Sequence, residues 1–144
     1  MSYLKIILGC MFSGKTTELF REYRRHISCG FKCLLINHNS DKRYTKNNNK
    51  SSSHDGIVIN SINVGDKLFD FFKKNSFLSK HDVIFINEGQ FFEDLYDFVD
   101  YIVNYEKKKV YVCGLDGDFQ RKKFGYLLDI IPLADDVIKI KAIC

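Results

Sequence analysis

One glycine-rich block near the N-terminus constrains this chain more than any other feature. Residues 9–16 read G-C-M-F-S-G-K-T, which fits the pattern G-x-x-x-x-G-K-[S/T]. An apolar run over residues 3–8 precedes the block, and a segment with helical apolar spacing over residues 16–29 follows it. These segments predict a buried strand and a helix that stops at Gly30. This context favours a phosphate-binding loop over an ordinary glycine turn.

A loop of this kind binds a polyphosphate mainly through its backbone. Glycines allow successive N–H groups to turn to one side, and the following helix adds the positive end of its dipole. In this pattern Lys15 neutralises the β- and γ-phosphates, and the Thr16 hydroxyl is a ligand for Mg²⁺. The block therefore predicts a site for a nucleoside triphosphate with Mg²⁺.

Beyond the loop, short apolar runs alternate with helical patterns. Continuous apolar runs are typical of strands buried on both faces, and they predict strands over residues 33–37, 57–59, 83–86 and 110–113, the last closed by Gly114. Residues 137–143 instead alternate, which predicts a strand near a sheet edge. Helical spacing recurs over residues 66–74 and 93–105. The alternation predicts an α/β fold, a parallel sheet flanked by helices with ligands outside the carboxyl ends of its strands. Residues 39–55 have no apolar periodicity and predict a long mobile loop, either a flap or a plain insertion.

Length and composition exclude several classes of protein. The chain has 144 residues, of which 45% are hydrophobic and 28% charged, which suits one domain and excludes whole-chain disorder, collagen and coiled coil. No apolar run approaches the roughly 20 residues that span a bilayer, and the N-terminus lacks the pattern of a signal peptide, so we expect a cytoplasmic protein. The basic residues behind the net charge of +4 are scattered, which indicates a biased composition rather than a nucleic-acid surface.

A second block of interest follows the strand predicted over residues 83–86. Asn87 and Glu88 come directly after it, at the sheet edge where a phosphate-loop enzyme holds its metal-bound water and often its base. Glu88 is therefore a candidate catalytic carboxylate, the alternative being a solvated loop glutamate. The adjacent Phe91 and Phe92 are more typical of a core than of a base-stacking surface.

A third block, residues 114–125, mixes glycines and charges with Phe119 and Phe124. A plain surface turn seldom needs two phenylalanines, so their purpose stays open at this point. The four histidines have no metal-ligand spacing, which predicts structural or exposed roles. The five cysteines form no C-x-x-C pair, which predicts reduced and mostly buried thiols.

Together these blocks resemble the thymidine kinase family of the cellular and poxviral type, which is distinct from the herpesviral type. The resemblance covers nearly the whole chain: M-F-S-G-K-T-T-E-L at 11–19, D-x-R-Y at 41–44, H-D at 54–55, E-G-Q-F-F at 88–92, L-D-G-x-F-Q-R-K at 115–122 and I-P-L-A at 131–134. The resemblance implies a RecA-like core and transfer of the γ-phosphate of ATP to the 5′-hydroxyl of thymidine.

The resemblance also implies roles for single residues. Glu88 matches the general base and Arg43 an arginine beside the reacting hydroxyl, so that these two and Lys15 form the catalytic set. An apolar wall around thymine is implied at Met11, Phe91, Leu115, Phe119 and Phe124. The implied ATP site comprises Gly9, Cys10, Met11, Phe12, Ser13, Gly14, Lys15, Thr16, Asp41, Lys42, Arg43, Asn87, Glu88, Gly89 and Gln90. Because phosphoryl transfer needs mostly positioning and charge neutralisation, Lys15, Mg²⁺ and Arg43 should supply more of the rate than Glu88.

Three departures from the family pattern matter. Asn87 stands where the family usually has aspartate, so a negative charge near the Mg²⁺ water shell is missing and weaker use of Mg²⁺ with ATP is expected. Asp118 and Lys123 replace the usual threonine and proline beside the nucleoside wall, which bears on base specificity. Cys144, in the closing K-A-I-C, matches the first zinc cysteine of the family. One cysteine cannot complete a tetrahedral site, so we expect the zinc subdomain and its nucleoside-closing loop to be absent or truncated, and zinc only with a further C-terminal part.

Two other functions stay open from the residues alone. An ATP-binding, decayed or truncated kinase with little turnover would account for Asn87 and the missing closing loop. A phosphate-loop ATPase acting on nucleic acid would account only for the basic charge. The family resemblance implies a homotetramer, with the helix over residues 16–29 or 93–105 as a possible contact, and neither a nucleic-acid nor a membrane partner.

Overall fold

The computed structural model describes residues 2–10, 13–39, 50–52, 58–72, 78–117 and 125–141. In chain order its strands are β1 (Tyr3–Gly9), β2 (Cys33–His38), β3 (Lys50–Ser52), β4 (Val58–Asn60), β5 (Ile62–Val64), β6 (Val83–Ile86), β7 (Lys109–Leu115) and β8 (Asp136–Ile140). Six of them form one sheet in the order β5-β2-β6-β7-β1-β8, and every pairing within it is parallel. β3 pairs with β4 in a separate antiparallel ribbon.

The parallel sheet confirms the α/β fold predicted from the alternating segments. Successive side chains of a strand point to opposite faces, and both faces of β1 are apolar: Leu4, Ile6 and Leu8 belong to the core on one side and Ile7 to the core on the other. Burial on both faces explains why these strands appear in the sequence as continuous apolar runs.

Helices cover both faces of the sheet. Helix α1 (Lys15–Ser28) packs Leu19 and Phe20 against one face. Helices α2 (Leu68–Phe72) and α3 (Leu95–Asp100) cover the other face, together with a 3₁₀ stretch over Leu127–Leu133. A π-helical turn, Tyr101–Tyr105, extends α3 to the end of the helix predicted over residues 93–105.

The second predicted helix begins later than its periodicity indicates, at Leu68 rather than residue 66. The Asp94 carboxylate accepts hydrogen bonds from the backbone N–H groups of Leu68 and Phe69, at 2.8 and 2.9 Å. Asp94 is also the N-cap residue of α3. The Asp94 carboxylate therefore accepts hydrogen bonds from two N–H groups in the first turn of α2, and its negative charge stabilises the positive end of that helix.

Several strand boundaries differ from the prediction. The ladder with β1 continues past Gly114, where Leu115 pairs with Gly9, so Gly114 does not end β7. Lys50–Ser52 forms β3 inside the predicted loop; of the rest of that loop only Asn39 lies within the described residues. β5 and the 3₁₀ stretch were not predicted. β8 forms the expected sheet edge but ends at Ile140.

The described cysteines are free thiols, as predicted, but the expectation that most are buried is wrong. Cys113 is buried and Cys33 half-buried, whereas Cys10 and Cys29 are exposed because they lie in the loop after β1 and at the end of α1. Burial raises the pKa of the Cys33 thiol to about 12, with the nearby Asp82 carboxylate adding to the effect. Within the described ranges no helix is long and apolar enough to cross a membrane.

The core beneath α1 is an aromatic cluster around Phe85. The Phe85 ring is stacked on Tyr111, 5.0 Å between centroids, and meets the Tyr23 ring edge at 5.3 Å. Phe85 is fully buried. The Phe85 ring therefore packs against two other aromatic rings of this core.

We expect Phe85→Ala to lower the free energy of unfolding by about 3–5 kcal/mol, because it removes this ring and leaves a cavity. Tyr105→Ala is the control, since that side chain is 75% exposed and its loss should change stability by less than about 0.5 kcal/mol. Urea denaturation followed by circular dichroism measures both. Equal effects of the two substitutions would contradict this description of the core.

Candidate active site

The phosphate loop connects β1 to α1 at the carboxyl edge of the sheet. Gly9, the last residue of β1, lies against the Ser13 side chain and β8: a Cβ at Gly9 would lie 2.3 Å from Ser13 Oγ and 2.9 Å from the Ile140 carbonyl oxygen. Any larger residue at position 9 would displace either the loop or the edge strand. Gly9 is therefore required by close approach, as the motif indicates.

Gly14 is the N-cap residue of α1 and has φ +86°, in the left-handed region that favours glycine. It provides no side-chain cap. The first N–H groups of a helix have no intrahelical partner, so a 14-residue helix that begins this way presents donors and a positive dipole end to the loop.

Three side chains of the loop meet the needs of a bound phosphate. The Ser13 hydroxyl is buried and, among the described atoms, has no hydrogen-bond partner. The Lys15 side chain is also buried, and its ammonium donates to the Cys10 carbonyl oxygen at 3.3 Å, which uses one of three donors. Thr16 lies one residue into α1 and is 3% exposed. A buried hydroxyl without a partner beside a buried ammonium fits an anionic ligand with several oxygens.

Asn87 and Glu88 follow β6 directly, as predicted. Glu88 has φ 57° and ψ 49°, a left-handed conformation that few residues other than glycine adopt. Its carboxylate is partly exposed and accepts a hydrogen bond from Gln90 Nε2 at 2.6 Å. Non-glycine residues in this conformation are over-represented at functional sites.

The Asn87 side chain faces the interior of the sheet edge. It is 1% exposed; its amide donates to Asn37 Oδ1 at 3.1 Å, and its oxygen accepts from the Cys113 thiol at 3.0 Å. Asn37 in turn donates to the Ser61 hydroxyl at 2.9 Å. We call Asn37, Ser61, Asn87 and Cys113 the amide network. Its groups are neutral, and it links the ends of β2, β6 and β7.

Gln90 is also inaccessible, at 1% exposure. Its Oε1 accepts the backbone N–H of Leu115, the last residue of β7, at 3.1 Å. The resemblance implies that Gln90 belongs to the ATP site, and that role stays a prediction; in the structure its amide is hydrogen-bonded to Glu88 on one side and to β7 on the other.

Phe91 and Phe92 have different surroundings. Phe92 is fully buried in the core, whereas Phe91 is half-buried with its ring 5.2 Å from that of His38, the last residue of β2. His38 Nε2 lies 2.6 Å from Asp66 Oδ1. Of the predicted thymine wall, the structure therefore describes Phe91 and Leu115, both partly accessible at the ligand edge.

The other predicted site residues lie outside the described residues. They are Met11, Phe12, Asp41, Lys42, Arg43, Phe119, Phe124 and Cys144, with the two departures Asp118 and Lys123. The roles assigned to them stay predictions. The described residues contain no cluster of three metal-ligating side chains.

Comparison with known proteins agrees with this geometry. The thymidine kinase family model matches residues 2–144. The chain is 40% identical to a thymidine kinase of Amsacta moorei entomopoxvirus, over 98% of this chain and 77% of that protein. It is 39% identical to the thymidine kinase of Variola virus, over 99% and 76%, and 40% identical to the cytosolic thymidine kinase of Bos taurus, over 98% and 56%.

This chain belongs to the thymidine kinase family. Membership confirms the resemblance carried by the three sequence blocks, and it supports a kinase over a nucleic-acid-stimulated ATPase. The chain spans about three quarters of the two viral relatives and 56% of the bovine one.

Sequence reasoning missed three members of the amide network in this family member. Asn37 carries the same signal that identified Asn87, a polar residue at the end of an apolar run, and applying the rule to every predicted strand would have found it. Ser61 and Cys113 carry no comparable signal, because a serine after a strand and a cysteine within one are both common without a polar contact.

The position of Cys10 allows a direct test of nucleotide binding. Cys10 is an exposed thiol inside the phosphate loop, so we expect ATP with Mg²⁺ to slow its alkylation by iodoacetamide at least about tenfold at saturation, a protection of the kind mass action predicts. Cys29, exposed at the far end of α1, is the internal control and should react at an unchanged rate. Peptide mass spectrometry follows both thiols; equal rates at Cys10 with and without nucleotide would contradict this site.

Asn87→Asp would place a carboxylate in a neutral, buried setting. We expect it to lower the free energy of unfolding at pH 8 by about 1–3 kcal/mol, because the charged form loses solvation. Burial raises the folded pKa of such a carboxyl above its unfolded value of about 4, so the loss is absent below the unfolded pKa, grows between the two pKa values and is complete above the folded pKa. Denaturation at pH 5 should therefore show a smaller loss than at pH 8.

Asn39→Asp is the matched control, since Asn39 is exposed at the same edge and its change should have no such pH dependence. An Asn87→Asp protein as stable as the parent at pH 8 would contradict the neutral character of the network. The same variant tests the expectation from the sequence, that an aspartate lowers the Mg²⁺ concentration needed for ATP to protect Cys10.

Proposed function

We propose that this protein transfers the γ-phosphoryl group of ATP to the 5′-hydroxyl of thymidine, as a thymidine kinase. The observation that carries the proposal is the common placement of the phosphate loop and Glu88. The loop follows β1 and Glu88 follows β6, and β7 alone separates these strands in the sheet. Both groups thus lie at one carboxyl edge, where α/β proteins bind their ligands.

The loop supplies the ATP site in this proposal. The N-terminus of α1 and the Lys15 ammonium neutralise phosphate charge, and the Ser13 hydroxyl gains the partner it lacks. The Thr16 hydroxyl would hold Mg²⁺, which would offset the negative charge of the phosphates. Because the amide of Asn87 is already bonded to Asn37 and Cys113, its share in the water shell of the metal is small.

Glu88 acts as the general base and accepts the proton of the 5′-hydroxyl as that oxygen attacks phosphorus. A partly exposed carboxylate on a fixed backbone suits this role. Arg43 is proposed to steady charge on the transferred group through its planar guanidinium. Phe91 and Leu115 form the described part of the thymine wall, which Met11, Phe119 and Phe124 are proposed to complete.

Other properties follow from family membership as proposals. Residues 1–144 form one phosphate-loop kinase domain, and the protein is a cytoplasmic homotetramer without nucleic-acid or membrane partners. Zinc binding through Cys144 would need further ligands, because a structural zinc site takes four.

The decisive experiment measures ADP formation by purified protein with ATP and Mg²⁺, alone, with thymidine and with single-stranded DNA. The proposal expects release that depends on thymidine and an unchanged rate with DNA. Nucleotide protection of Cys10 without thymidine-dependent turnover would indicate a decayed kinase instead, and stimulation by DNA would overturn both.

Two substitutions separate the roles of base and phosphate ligand. We expect Glu88→Gln to lower kcat by about 10²–10⁴-fold with little change in KM for ATP. Lys15→Met should lower kcat at least as much and also raise KM for ATP, because it removes charge neutralisation in both ground and transition states. Glu93→Gln, the same change at an exposed carboxylate nearby, is the control. A Glu88→Gln enzyme with full kcat would contradict the role of the base.

A further inference from the structure

We infer that Gln90 is a positioning residue that holds the Glu88 carboxylate, rather than a contact for ATP. The inference rests on the proposed function, since it assigns Gln90 a part in that reaction. Its observation is independent of family membership: one buried amide joins the candidate base to the end of β7. Gln90 Nε2 donates to Glu88 Oε2 at 2.6 Å, and Leu115 N donates to Gln90 Oε1 at 3.1 Å.

The two partners fix the orientation of the Gln90 amide. The N–H of Leu115 can only donate, so it requires the amide oxygen, and an ionised carboxylate can only accept, so it requires the amide nitrogen. A flipped amide would lose both hydrogen bonds and leave the part-buried N–H of Leu115 without this partner, which is unfavourable. The donor that faces Glu88 is therefore set by the backbone of β7.

Two glycines leave room for Gln90, one beside its side-chain amide and one beside its backbone. A Cβ at Gly114 would lie 2.2 Å from Gln90 Oε1, and a Cβ at Gly125 would lie 2.2 Å from the Gln90 carbonyl oxygen. Gly125 has φ +67°, which also favours glycine. Side chains at these positions would occupy the space of Gln90, so two separate segments leave room for one buried glutamine.

The contact matters because it restricts the Glu88 side chain and not only its backbone. A partly exposed glutamate has several rotatable bonds, and fixing them costs entropy. The buried amide directs the Glu88 carboxylate toward the end of β7, where Leu115 belongs to the proposed thymine wall. Gln90 thereby sets the distance between the base and the nucleoside, on which positioning catalysis depends.

A double-mutant cycle tests the inference. Gln90→Met, similar in length but without hydrogen bonds, should lower kcat on the order of 10- to 100-fold, the scale of a misplacement of about 1 Å, and leave KM for ATP within about twofold. In a Glu88→Gln background the same change should have almost no further effect on kcat, because the base through which it acts is already gone. A raised KM for ATP at full kcat, or effects that multiply in the double variant, would overturn the inference.

A second readout does not depend on activity. In a ¹⁵N–¹H spectrum of the full chain, the side-chain amide signal of Gln90, assigned by its loss in Gln90→Met, should shift in Glu88→Gln and stay unchanged in Glu93→Gln. An unmoved signal in Glu88→Gln overturns the contact itself. If the wild-type protein shows no thymidine-dependent ADP release, the proposed function fails on that result, and the spectrum still decides whether the amide holds the carboxylate.

Discussion

The position of β7 between β1 and β6 is the constraint on which the rest of the site depends. β1 ends in the phosphate loop and β6 ends at Glu88, so the spacing of these groups is the spacing of two strands with one between them. Register fixes it further, because Leu115 pairs with Gly9 while its N–H bonds to Gln90, which in turn bonds to Glu88. The phosphate loop and Glu88 are thus both linked to Leu115, and the parallel strand pairing leaves little freedom for either to shift.

A second constraint is electrostatic. The amide network fills the ends of β2, β6 and β7 with neutral side chains, which three hydrogen bonds join in one chain from Ser61 through Asn37 and Asn87 to Cys113. Buried polar groups that are fully paired rigidify an edge without adding charge, whereas a buried unpaired carboxylate would cost several kcal/mol. Among the described residues of the phosphate loop and the end of β6, the charged side chains are Lys15 and Glu88. Lys15 follows β1, and Glu88 follows β6.

The sequence predicted the fold well where one physical rule decides the outcome. Apolar runs buried on both faces located β1, β2, β6 and β7, and the glycine motif located the loop. The prediction from the sequence failed where a contact with a residue far along the chain determines the local structure. The Asp94 carboxylate sets the start of α2 from 25 or 26 residues away, and β5 is a three-residue strand, too short for a period to appear. Within the site, residue types identified Glu88, but the Gln90–Leu115 contact joins positions 25 residues apart and depends on the register of β7, which only the folded sheet provides.

Glu88 has a strained, left-handed backbone conformation at the carboxyl edge of the sheet. The left-handed backbone of a non-glycine residue costs on the order of 1 kcal/mol, which a glycine at position 88 would avoid. Glycine would also remove the carboxylate, so the cost is tolerated only because the side chain is needed. The residue that follows is restricted by packing, since Gly89 lies so close to β7 that a Cβ there would be 2.7 Å from Val112 Cγ1. Glycine thus occupies position 89, where packing leaves no room for a Cβ, and glutamate occupies the strained position 88. With the backbone held by that packing and the carboxylate held by Gln90, both ends of the candidate base are fixed before any substrate binds, which is the condition under which positioning contributes most to phosphoryl transfer.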